Sequence, residues 1–175
     1  DIKSPAQIRE REIFPVPKHK ETLFAIASDK EAVNSVITIY NKLDRVEVNS
    51  KPELKNQLIK TLFAGMLNER FFELTKLPDP PFIQAGSRNG RFVRSLDRNI
   101  LFAVVKDNGI ENGLEVLLRE ARRAKLYGFN QSELDRQKQI FLRNIETQLA
   151  EKDKNINIEE YKKGLNTDNK DEKKE

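Results

Sequence analysis

Ile100-Leu101-Phe102-Ala103-Val104-Val105 is an unbroken apolar run in a chain whose charged residues make up 34%. It has no polar member to turn toward water and is too short for a surface helix. It predicts a strand covered on both faces, central in a sheet larger than this chain supplies. Everything else in the sequence has to be arranged around that strand.

The neighbouring segments alternate between strand and helix periods. Thr22-Leu23-Phe24-Ala25-Ile26-Ala27-Ser28 reads as a first strand, and Ser35-Val36-Ile37-Thr38-Ile39-Tyr40 as a second, rich in β-branched residues. Ser50-Lys51-Pro52-Glu53 is a capping box with Pro in the first turn. It opens a long helix whose Leu54, Leu58, Leu62, Met66, Leu67, Phe71 and Leu74 recur at helical spacing, stopped by Leu77-Pro78-Asp79-Pro80-Pro81. Phe82 to Ser87 is extended, and Asn89-Gly90 predicts the hairpin turn into the central strand.

Asn108-Gly109-Ile110-Glu111 then starts a helix through Leu114, Leu117, Leu118, Ala121 and Ala124, ended by Gly128. Asn130-Gln131-Ser132-Glu133 starts another, with Phe129 and Leu134 spaced as a hydrophobic staple. Its apolar stripe is Leu134, Phe141, Ile145 and Leu149. The order β-β-α-β-β-α-α implies an α+β, two-layer sandwich, with helices on one face of a mostly antiparallel sheet. Three segments follow: an extended lead-in over 1–18 with Pro5, Pro15 and Pro17, the α+β unit over 19–150, and a charged tail over 151–175. In that tail only Ile156, Ile158, Tyr161 and Leu165 are apolar, so it reads as a linker or disordered extension.

Composition excludes several kinds of chemistry. There is no Cys, hence no disulfide, thiolate metal site or cysteine nucleophile. A single His, His19, cannot supply the two imidazoles of a His-Glu-x-x-His zinc helix or its inverse. His19, between Lys18 and Lys20, reads as an exposed loop imidazole. Asp97 with Asp107, and Glu111 with Glu115, read as solvated carboxylates rather than an acid–base pair. No Gly-rich phosphate loop follows a strand. The net charge of +4, from 32 basic and 28 acidic residues, permits a polyanionic partner without arguing for one. No apolar stretch is long enough for a membrane segment. The start at Asp1, without Met or signal-peptide shape, reads as a processed or excised chain.

The segments Ala27-Ser28-Asp29-Lys30-Glu31, Leu67-Asn68-Glu69-Arg70-Phe71-Phe72-Glu73-Leu74, and Leu117-Leu118-Arg119-Glu120-Ala121-Arg122-Arg123-Ala124 carry a resemblance. The last runs into Tyr127-Gly128-Phe129-Asn130-Gln131-Ser132-Glu133-Leu134. From about Pro17 to Leu149 the chain resembles the insulinase-like (pitrilysin) zinc metallopeptidase family, in part of a non-catalytic domain. That family's half-domain is strand, helix, two strands, two helices, of the LuxS or processing-peptidase kind, so one leading strand here is extra. The resemblance implies a zinc metalloendopeptidase whose zinc lies in a catalytic domain outside this chain; here no catalytic or metal residue is expected.

The resemblance also implies the peptidase's other domains or subunit, and a peptide substrate, as partners. The family's non-zinc half often carries an Arg and, two helical turns later, a Tyr that contact substrate. Arg70 stands in the Arg place and Leu77 in the Tyr place, so the pair is broken. Arg70 and, from the hairpin cluster Arg88, Arg91, Arg94 and Arg98 around Phe92, Arg88 and Arg91 are the candidate substrate-binding residues. The alternatives are a stand-alone basic module for RNA or an acidic protein, and a catalytically inert homologue acting as an assembly subunit. Nucleic acid is not the expected partner. Both an exported, periplasmic location and a cytoplasmic one fit the sequence.

Overall fold

The computed structural model describes residue 12 and residues 14–171, with backbone alone from 153 onward. Most of the lead-in, residues 1–11 and 13, lies outside the described residues. The elements are β1 (Ser35–Asp44), α1 (Lys51–Thr75), β2 (Gln84–Val93), β3 (Leu96–Val105), α2 (Ile110–Tyr127) and α3 (Gln131–Asp171). They fall into two compact units, Asp1–Phe129 and Asn130–Glu175.

In the first unit three antiparallel strands take the order β1-β3-β2, so the apolar run is central. Ala103 and Val105, with Ile37, Ile39, Ala85 and Leu101, face Leu67, Phe71, Phe82, Val116, Leu117 and Ala124. Phe71, Phe82, Leu67, Leu117 and Val105 are fully buried. Each contributes about 1.5–3 kcal/mol by leaving water. Phe71 and Phe82 meet edge-to-face, 6.1 Å between centroids, a geometry their ring quadrupoles favour. Helices α1 and α2 thus cover one face. On the other, Ile100 is buried and Phe102 and Val104 are half-buried, and among the described residues of the first unit no helix covers that face.

Local signals set the helix starts. Ser50 accepts a hydrogen bond from the Glu53 N–H, while the Glu53 carboxylate accepts from the Ser50 hydroxyl at 2.8 Å and the Asn49 N–H at 3.0 Å. Those bonds, the Ser50 hydroxyl first, hold the Glu53 carboxyl below its ordinary range. In the second unit the Asn130 side chain accepts from the Glu133 N–H and the Glu133 carboxylate accepts from the Asn130 N–H, a reciprocal box opening α3. α3 continues as helix to Asp171, into the charged segment beyond Leu149.

Three local expectations are corrected. Thr22–Ser28 forms no strand, and Leu23, Phe24 and Ile26 are exposed. Strand propensity needs an edge to pair with, and among the described residues this segment has none. The hairpin turn lies at Arg94-Ser95, not Asn89-Gly90, which sit inside β2 opposite Asn99 and Arg98. A turn at Asn89-Gly90 would leave Ile100–Val105 without a partner on one side. Shifting it lets β2 run the length of β3, with a bulge between Arg91 and Val93. Asn108 does not cap α2. It adopts φ 61°, a left-handed turn conformation Asn tolerates, and Gly109 takes the cap position without a side-chain bond.

Candidate functional site

The strand period separates the arginines that cluster in sequence. Side chains alternate across a sheet, and Ile37, Ile39, Leu101 and Ala103 mark the helix-covered face. Arg91, opposite Asp97, belongs to that face. It lines a groove of about 980 Å³ with Arg45, Glu53, Asn56, Lys60 and Asn99, shared by the first half of α1 and the sheet. Arg88 and Arg98 belong to the open face. The Arg88 guanidinium lies 5.0 Å from the Phe102 centroid. That of Arg98 lies 5.0 Å from Phe92 and 5.6 Å from Tyr40. Arg94 is in the turn.

The open face has a definite composition. Register places Val36, Thr38, Tyr40 and Lys42 of β1 beside Val104, Phe102, Ile100 and Arg98 of β3. Gln84, Gly86 and Arg88 of β2 follow on the other side. A Cβ at Gly86 would meet the Phe102 ring at 2.7 Å. Glycine there makes room for the ring, over which Arg88 is held. The one carboxylate in these rows is Asp44, at the end opposite Leu96, and it pairs with Lys18. Among the described residues neither Arg88 nor Arg98 pairs with a carboxylate or donates a hydrogen bond to a protein acceptor.

Arg70 is elsewhere. It donates to the Gly128 carbonyl at 3.0 Å and lies over the Phe129 ring at 4.4 Å, joining α1 to the end of α2. Phe129 also meets Phe63 edge-to-face at 5.3 Å. The three candidate arginines therefore occupy three separate places. Sequence reading placed Arg98 in the hairpin cluster without choosing it as a substrate-binding residue, and it did not single out Tyr40, Lys42 or Phe102. The available signal was the even spacing of Arg98, Ile100 and Phe102 on one strand.

The sheet's two edges differ. Asn68 of α1 accepts from the Ser87 N–H at 2.6 Å and donates to the Ser87 carbonyl at 3.1 Å, pairing with β2 as a strand residue would. Asn89 donates to the Lys60 carbonyl. Helix side chains and backbone thus occupy the β2 edge. β1 has β3 on one side and, among the described residues, no strand on the other.

His19 is exposed and its Nδ1 meets the Glu21 carbonyl at 2.7 Å. Among the described residues no three His, Cys, Asp or Glu side chains gather where a metal could be held, and no helix is long and apolar enough to cross a membrane.

The order strand, helix, hairpin, helix in the first unit, followed by α3, is the half-domain order that the resemblance implied, without the extra leading strand. The chain has the fold of part of the periplasmic protease PqqL from Escherichia coli. Against the crystal structure of that protease's first half the TM-score is 0.60 at 18% identity, covering 67% of this chain and 25% of that one. Against the whole protease the TM-score is again 0.60, covering 13% of it. In sequence the chain is 25% identical over 153 residues to a "Zinc protease PQQL-like" of Arabidopsis thaliana. That match takes in 87% of this chain and 13% of the relative, so the chain spans about an eighth of the curated protein. No protein-family model matches.

Proposed function

We propose that this chain is a non-catalytic, chamber-forming part of an insulinase-like zinc endopeptidase, with the zinc site on polypeptide outside it. What carries this reading is the pairing of a peptidase half-domain fold with one exposed imidazole. A catalytic zinc needs three protein ligands and an open position. The side chains here do not fit it, so no hydrolytic step is derived for this chain. Its contribution is a rigid sheet wall. β1 offers the edge to which an extended peptide can add through backbone hydrogen bonds that tolerate varied side chains. The β2 edge is already occupied by Asn68 and Asn89. A basic module for nucleic-acid phosphate is not favoured, since the sheet divides Arg88 from Arg91.

The test is peptide hydrolysis by the chain alone and by its parent. The chain alone should cleave nothing, with or without added zinc. The parent should cleave peptides, lose activity to a chelator, and lose it again when residues 19–150 are deleted. Chelator-sensitive cleavage by the isolated chain would overturn the proposal.

A further inference from the structure

We infer that the open face of the sheet is a docking surface for acidic polypeptide segments, in which Asp or Glu alternates with aliphatic or aromatic residues. The inference rests on the chamber-wall reading and names the kind of peptide that wall would hold. Three observations carry it. First, the face is cationic without compensation. Arg88 and Arg98 lie on it, with Lys42, whose Nζ donates to the Pro17 carbonyl at the end of the face, and its one carboxylate, Asp44, is at that end and pairs with Lys18.

Second, the guanidiniums are held in place before any ligand arrives. Arg88 lies over Phe102, and Arg98 lies against both Tyr40 and Phe92, which are 5.9 Å apart and tilted by 48°. A guanidinium held on rings keeps its fork of N–H donors and loses less rotamer freedom on meeting a carboxylate. Third, apolar surface lies beside those donors. Val36, Tyr40 and Phe92 are 63%, 54% and 43% exposed.

The size and chemistry of the patch choose the occupant. Three partly exposed apolar side chains supply no more than a few hundred Å², well short of an obligate subunit interface, which buries about 2,000 Å² or more. A short, reversibly bound peptide fits that area. Nucleic acid fits less well. Base recognition on a sheet needs free ring faces for stacking, and here Arg88 and Arg98 lie against the rings. Carboxylates need the donors that remain.

The experiment uses the full 175-residue chain and three labelled probes: an alternating Glu–Phe/Leu decapeptide, its Gln counterpart, and oligouridylate RNA. Fluorescence anisotropy should show the Glu peptide binding about tenfold more tightly than the Gln peptide, with the difference shrinking as salt rises. Arg88→Gln and Arg98→Gln should each weaken the Glu peptide about three- to tenfold, while Lys152→Gln leaves it unchanged. Circular dichroism checks that each variant is folded. Hydroxyl-radical footprinting should show the peptide protecting Tyr40 and Phe92.

Equal affinity for the Glu and Gln peptides, folded arginine variants that bind like the parent sequence, or protection away from Tyr40 and Phe92 would each overturn the inference. So would RNA binding, lost in the same variants, in place of peptide binding. Hydrolysis is not read in this assay. Failure here leaves the chamber-wall reading to its own test.

Discussion

Gly113 sits in α2 where two effects oppose each other, and the structure says which is larger. In a helix interior Gly→Ala gains up to about 1 kcal/mol from propensity and from the smaller entropy of the unfolded chain. In this chain an added Cβ would meet the Val105 Cγ1 at 2.5 Å, with Ile37 Cδ1 and the Pro81 carbonyl oxygen each at 3.4 Å. Val105 is fully buried on the central strand, and a β-branched side chain has little rotamer freedom with which to yield. Overpacking of this kind costs about 1–3 kcal/mol.

The net expectation for Gly113→Ala is therefore a loss of about 1–2 kcal/mol, read as a lower urea midpoint. On heating it is a drop of about 2–4 °C for each kcal/mol. Val105→Ala removes the obstructing methyl and by itself costs about 2–3 kcal/mol. In that background Gly113→Ala should be neutral or stabilising, giving a coupling energy of about 1–3 kcal/mol between the two positions. If Gly113→Ala stabilises the unaltered chain, or costs as much in the Val105→Ala background as in the unaltered chain, the close approach of α2 to β3 is wrong.

Three further outcomes follow from particular contacts. Asn68→Ala leaves the Ser87 N–H and carbonyl without partners at the β2 edge and should cost about 2–3 kcal/mol in thermal or urea unfolding. Arg70→Met removes the bond to the Gly128 carbonyl and the Phe129 contact and should cost about 1–3 kcal/mol; unchanged stability would release Arg70 from a structural role. The Glu53 carboxyl titrates below its ordinary range in the folded chain, so the stability it adds is present above the unfolded value and fades as pH falls through the folded one. Glu53→Gln should accordingly lower stability at pH 7, and the difference from the parent chain should shrink as the pH falls below the ordinary glutamate range, measured by urea unfolding at each pH.

The parts of this fold readable in the sequence are those set by neighbours along the chain. Ser50 and Glu53, and Asn130 and Glu133, lie three residues apart and close their capping bonds within one helical turn. Ile100–Val105 could be assigned to a central strand because no other place in a small domain absorbs six apolar side chains in a row. The order of elements followed from those signals except for the leading strand at Thr22–Ser28, which does not form. The absence of a zinc-binding imidazole pair needed only His19.

Pairing was not readable in the same way. Thr22–Ser28 has the composition of a strand, but a strand is a relation between two segments, and this one has no partner among the described residues. Asn89-Gly90 has the chemistry of a tight turn, yet the gain from pairing all of β3 on both sides outweighs a local preference of two residues. The candidate site depended on that register. With the turn at Arg94-Ser95, Arg88 and Arg91 share one strand three residues apart, so the pleat sends them to opposite faces. The sequence alone determined which residues are apolar, charged or able to cap a helix. Only the tertiary structure decided which arginines meet which rings, because a sheet's faces follow from hydrogen-bond register, and register is settled between strands rather than within one.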